Sequence, residues 1–164
     1  MSSATEQQVR ELEPVELAAW RGMLRVHAAL VKALDSELVG AHDLPLINYE
    51  VLITLDAAPD QRLRMAELAD SVLLSRSGTT RLVDRLVRDG LIARENCEDD
   101  GRGSFAVLTK RGGELLAHAR ATHLDGVRER FLRHFTEPEL RLLAESWERV
   151  LPGSALIEDL SPRD

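Results

Sequence analysis

Residues 75–90 read SRSGTTRLVDRLVRDG. Leu82, Val83 and Leu86 recur there at core spacing, while Arg81, Arg85 and Arg88 form a row at i, i+4 and i+7 off that side. Ser75 is a good N-cap, and Gly90 stands where a left-handed residue would end the helix. The front of the stretch, Ser75, Arg76, Ser77, Gly78, Thr79 and Thr80, holds one long side chain among small and hydroxyl-bearing ones. The spacing thus predicts one helix with a small polar front, an apolar back and a cationic flank.

Such a front suits a polyanion. A helix N-terminus offers unpaired amides and a partial positive charge, and short hydroxyls with a glycine leave room for close approach. A helix from 75 to 89 would span roughly 22 Å, enough to lie across a DNA major groove about 12 Å wide. The plainer alternative is a solvated arginine face paired with Asp84 and Asp89, and the flanking elements decide between them. Upstream, residues 65–72 (MAELADSV) predict a short helix. Downstream, residues 91–95 and 104–109 predict two strands around the polar, glycine-bearing tip CEDDGRG at 97–103. Short helix, turn, capped basic helix and hairpin make a winged helix-turn-helix.

The full chain has 164 residues and a net charge of −7, which by itself speaks weakly against nucleic acid. The charge is unevenly spread: residues 61–96 carry a net +2, against −6 for residues 1–60 and −3 for residues 114–164. A phosphate backbone responds to the field within about 10 Å, so the local excess matters more than the total. No apolar run is long enough for a bilayer, and no membrane role is expected. One cysteine and an N-terminus without an export signal predict a cytoplasmic protein. No nucleophile–base pair, phosphate loop or Cys/His metal spacing is present, so neither an enzyme, a metal nor a cofactor is expected.

Outside this lobe the pattern is helical. Leu17, Leu24, Val31 and Leu38 recur every seven residues, with Trp20, His27 and Leu34 three positions after the first three. Gly40 is expected to stop that helix, and Pro45 to open the next, which ends before Ala58-Pro59-Asp60. A long helix is expected from about Lys110 to Phe135. Thr136 and Glu139 then set a capping box for a last helix striped by Leu140, Leu143, Trp147 and Val150. The fold expected is mostly α with a small β-hairpin wing.

On these residues the chain resembles the MarR (multiple antibiotic resistance regulator) family of bacterial transcription factors. The resemblance runs from about Leu17 to Leu151. It is carried by Glu67-Leu68-Ala69 with the 75–90 helix, by Gly90-Leu91-Ile92-Ala93-Arg94, and by Asp100-Gly101-Arg102 leading into Val107-Leu108-Thr109. Family wings read Asp-x-Arg followed six residues on by Leu-Thr, and that spacing is met. Two departures stand out: Gly101 replaces the usual second basic wing residue, and Ala106 a common valine.

The resemblance implies a winged-helix homodimer whose first and last helices intertwine, reading a palindromic double-stranded operator with half-sites about 10 base pairs apart. It implies a flexible tail at 1–13 and a MarR-type domain at 14–151. Within that domain, 14–40 and 110–151 would be dimerisation helices and 45–109 the DNA-binding lobe, with a second tail at 152–164. DNA-binding candidates are Ser75, Arg76, Ser77, Gly78, Thr79, Thr80, Arg81 and Arg85, with Asp100, Arg102 and Gly103 at the wing tip. There an arginine steadied by an aspartate would enter a narrow minor groove; an ordinary polar turn is the other reading of that tip.

Repression relieved by a small aromatic or phenolic acid is also implied. Trp20, Arg21 and His27 are candidates for such an effector, although each has a plain role as core, solvated or interface residue. Arg21 and His27 lie about 120° apart around the first helix. Cys97 opens the wing beside Glu98 and Asp99, which disfavour its thiolate, so an inert role is the simpler one. The reading from another functional class is a winged-helix protein-interaction module that binds no DNA.

Overall fold

A computed structural model of the chain describes residues 10–72, 76–96 and 104–154, with the Arg76 side chain outside the description. The elements run α1 (Pro14–His42), α2 (Leu46–Ala57), β1 (Arg62–Arg64), α3 (Met65–Ser71), α4 (Arg76–Arg88), β2 (Ile92–Asn96), β3 (Ser104–Leu108), α5 (Lys110–Arg130) and α6 (Glu137–Val150). Short 3₁₀ turns at Pro59–Gln61 and Leu132–His134 join α2 to β1 and α5 to α6. The predominantly helical winged helix-turn-helix expected from the sequence is therefore the fold observed.

α1 runs two residues past Gly40, where no described residue lies close enough to require a glycine. Asp43 ends it instead, in the left-handed region at φ 52°, and its amide donates to the carbonyls of Leu38 and Val39. Aspartate tolerates that conformation better than most side chains, so a helix can end there without glycine. The N-cap of α2 is Pro45, which has no side-chain acceptor to offer. Asp35 of α1 supplies one: its Oδ1 accepts the Leu46 amide at 2.8 Å. The α1–α2 corner is thus fixed by a carboxylate eleven residues upstream.

The sheet is antiparallel in the order β1-β3-β2, one strand more than the hairpin expected. Arg62 pairs with Val107 and Arg64 with Phe105, while Ile92 pairs with Leu108 and Glu95 with Phe105. Since paired residues share a face, Leu63, Ile92, Ala106 and Leu108 point inward. They meet a core built from Tyr49, Leu52 and Leu55 of α2, Leu68 of α3, Leu82, Val83 and Leu86 of α4, and Leu116 and Ala119 of α5. Each fully buried leucine or valine there contributes roughly 1.5–3 kcal/mol by leaving water.

α4 is held at its far end by a clasp. Gly90, at φ +73°, turns the chain, and the Thr109 hydroxyl lies 2.8 Å from the Gly90 carbonyl and 2.9 Å from that of Leu91. Thr109 is also the N-cap of α5, its Oγ1 accepting the Gly112 amide at 3.0 Å. Gly112 sits so close to this junction that a Cβ there would be 2.2 Å from the Leu91 carbonyl oxygen. The exit of α4 and the start of α5 are therefore one tight unit.

α5 ends at Arg130, short of Phe135. At Phe131 the backbone leaves helical geometry (φ −126°, ψ −64°) before the 3₁₀ turn, and Phe131 packs its ring on Phe135 with centroids 5.0 Å apart. α6 starts as expected: the Thr136 amide and hydroxyl both donate to Glu139 Oε2, at 2.7 and 2.8 Å. These bonds hold the Glu139 carboxyl below its ordinary value.

Candidate nucleic-acid interface

α4 separates its two faces sharply. Thr79, Leu82, Val83 and Leu86 are buried; Ser77, Thr80, Arg81, Asp84, Arg85 and Arg88 are exposed. Thr79 corrects the expectation that placed it on the polar front. It lies three, four and seven residues before Leu82, Val83 and Leu86, so the helical period turns it into the core with them. Its side chain is fully buried and not available to a duplex. Gly78 is intermediate in exposure, which leaves Ser77 and Thr80 as the described hydroxyls that reach the surface.

Along the outer face, Arg81 turns back so that its Nε donates to the Ser77 carbonyl at 3.3 Å. Asp84 is paired sideways, with Arg94 of β2 at 3.0 Å. This exposed pair adds little stability, yet it ties the wing to the helix. Arg85 and Arg88 are exposed and make no ion pair among the described residues. Ser75, Asp100, Arg102 and Gly103 lie outside the described residues, as does Cys97.

Arg62 and Arg64, which the sequence reading did not single out, stand on the outward face of the sheet. The signal that could have found them is their alternation around Leu63.

The effector candidates do not converge in one chain. His27 lines an apolar groove of about 440 Å³ with Met23, Leu24, Leu30, Phe131 and Trp147, whereas Trp20 and Arg21 are not part of its wall. Sequence reasoning also passed over Tyr49 and His123, whose rings meet at 4.5 Å between α2 and α5. Tyr49 Oη and His123 Nδ1 are both buried without a hydrogen-bond partner among the described residues. Burial pushes the Tyr49 hydroxyl up, with Arg120 partly opposing it, and pushes His123 down.

Residues 42–103, which hold the helix-turn-helix and the start of the wing, match the MarR family. Among solved structures the chain is similar to Sco3205 of Streptomyces coelicolor, a MarR family transcriptional regulator in complex with DNA. The two are 33% identical over 95% of this chain and 97% of that one, with a TM-score of 0.85. AbsC, another MarR family regulator of Streptomyces coelicolor, is 32% identical over 87% of this chain and 95% of its own, with a TM-score of 0.82. The chain belongs to the MarR family.

MarR membership makes it a transcriptional regulator and not an enzyme. The repressor YetL of Bacillus subtilis is 28% identical over 106 residues, 63% of this chain. The chain thus spans 64% of the length of YetL, a little under two thirds. No helix among the described residues is long and apolar enough to cross a membrane.

Proposed function

We propose that the chain binds double-stranded DNA as a homodimer, α4 entering the major groove at each half of a palindromic operator, and that it represses transcription there. The observation that carries the DNA reading is the division of α4 into a locked core face and an exposed face bearing Ser77, Thr80, Arg81, Arg85 and Arg88. Ser77, Thr80 and Arg81 would meet base edges, and Arg85 the backbone. The Gly78 backbone, Arg76 and Ser75 would complete the front, and Asp100, Arg102 and Gly103 would bring the wing to the minor groove. The DNA complex of Sco3205 supports this reading.

Dimerisation has its own support. α6 has no buried residue, and α1 buries only Leu38 along its whole length. Trp20, Leu24, Val31, Trp147 and Val150 stand 39–76% exposed, more apolar surface than a soluble monomer usually shows. A second copy crossing α1 and α6 against α1 and α6 would cover it. On this reading 14–40 and 110–151 would serve dimerisation and 45–109 DNA binding.

A small aromatic acid would release the DNA, its carboxylate meeting Arg21 or His27 and its ring Trp20. The test begins with recovery of genomic fragments on the purified protein, followed by titration of the enriched duplex. Arg85→Ala should weaken binding to every sequence and flatten the salt dependence by about one unit. Thr80→Ala should shift base preference. Failure to enrich any fragment would refute the DNA reading. Aromatic acids that release wild type but neither Arg21→Ala nor His27→Ala support the effector site, and unchanged release removes it.

A further inference from the structure

The outward face of the sheet carries chemistry that its packing does not use. Opposite the inward Leu63, Ile92, Ala106 and Leu108 stand Arg62, Arg64, Phe105 and Glu95. The Phe105 ring lies away from the core, and both arginines lie over it: the guanidinium carbon of Arg62 is 5.0 Å from the ring centroid and that of Arg64 5.3 Å. One ring therefore steadies two cations, although the cations repel each other. They are scarcely neutralised. Glu95 reaches Arg62 only at 3.9 Å, in an exposed pair. Arg64 makes no ion pair among the described residues; nearby Glu67 accepts the Arg64 backbone amide at 2.9 Å.

Two planar donor forks on one aromatic ring, one held only by a long exposed ion pair and the other in none among the described residues, match a phosphodiester. Their place in the fold suits the same partner. Arg64 directly precedes α3, the first helix of the helix-turn-helix, and in this motif that helix crosses the DNA backbone while the second enters the groove. We propose that Arg62 and Arg64, plated on Phe105, clamp a backbone phosphate beside the base pairs read by α4. The clamp positions the lobe and carries no sequence information. It rests on the DNA reading above, and its failure is distinguishable from the failure of that reading.

The test uses the full chain and a duplex enriched from genomic fragments, with affinity followed by fluorescence anisotropy between 50 and 200 mM NaCl. The double variant Arg62→Ala/Arg64→Ala should lose affinity for enriched and scrambled duplexes alike, with the slope of log K against log salt lowered by roughly one to two units. The double lysine variant should recover most of the slope and less of the affinity, since lysine keeps the charge without the fork. Phe105→Leu should weaken binding several-fold with both arginines present. Neutral methylphosphonates placed singly along the duplex should locate a flanking phosphate whose neutralisation weakens wild type and leaves the double alanine variant unchanged.

A folded double alanine variant with an unchanged slope, alongside an Arg85→Ala variant with a lowered one, overturns the clamp and leaves the DNA reading standing. A wild-type protein that enriches no DNA overturns both. Should the alanine pair not fold, the methylphosphonate scan compares wild type with the lysine pair. A flanking phosphate to which wild type is the more sensitive supports the clamp, and equal sensitivity everywhere overturns it.

Discussion

Gly112 and Gly113 stand next to each other in the first turns of α5 and should respond in opposite directions to the same substitution. A Cβ on Gly112 would be 2.2 Å from the Leu91 carbonyl oxygen and 2.9 Å from Leu108 Cδ1; on Gly113 it would meet Leu108 Cδ2 at an ordinary 3.9 Å. Relief at Gly112 requires about 1 Å of backbone movement, because an ordinary carbon–oxygen contact is above 3 Å. That movement opens the Thr109 clasp on Gly90, Leu91 and Gly112. Overpacking costs about 1–3 kcal/mol, and each weakened hydrogen bond about 1 kcal/mol. Alanine returns up to about 1 kcal/mol in helix propensity at either site. Gly112→Ala should therefore lose about 2–3 kcal/mol, while Gly113→Ala should gain about 0.5–1 kcal/mol. With a urea slope of about 1–3 kcal/mol per molar, the two midpoints should separate by more than about 1 M at equal protein concentration. Coincident midpoints would refute the close packing of α5 on the exit of α4.

Further predictions concern the core, the helical face and protonation. Leu86→Ala removes a fully buried side chain from α4 and should cost about 2–5 kcal/mol in denaturant unfolding, with DNA binding lost in parallel. Trp147→Glu places a charge on the α6 face and should weaken the proposed dimer about 30-fold or more, read by sedimentation over a concentration series. His123 has its pKa lowered by burial, so the unfolded chain takes up its proton first. Stability that is full above about pH 6.5 should then decline as pH falls through the folded-state value. His123→Leu should flatten this decline relative to wild type; an unchanged pH profile would count against a buried neutral imidazole.

The sequence was most legible where one period controlled burial. The leucines and valine of α4, the capping box of α6 and the turn at Gly90 all appear where spacing and turn chemistry put them. β1 was not legible because a three-residue strand shows only one inward side chain, Leu63, and owes its existence to pairing with the distant β3. The end of α1 was misplaced because an open glycine in mid-helix costs only about 1 kcal/mol, which packing by Leu38 and Leu44 overcomes. Thr79 was misassigned by residue type although its spacing already matched the core set. The proposed effector residues illustrate a different limit: proximity on one helix does not make a shared cavity, and the buried Tyr49–His123 contact depends on how α2 meets α5.

α1 is one unbroken rod of 29 residues, about 44 Å long. Its near end is a bare apolar surface, while its far end is rooted in the lobe through Leu38 and the Asp35 link to α2. Such a rod acts as a lever. In the dimer proposed above, a tilt of about 10° where the two copies cross would displace the rooted end by about 8 Å, a large step beside the roughly 34 Å repeat that separates successive major grooves. Small adjustments among the side chains at that crossing would then decide whether both halves reach their grooves together.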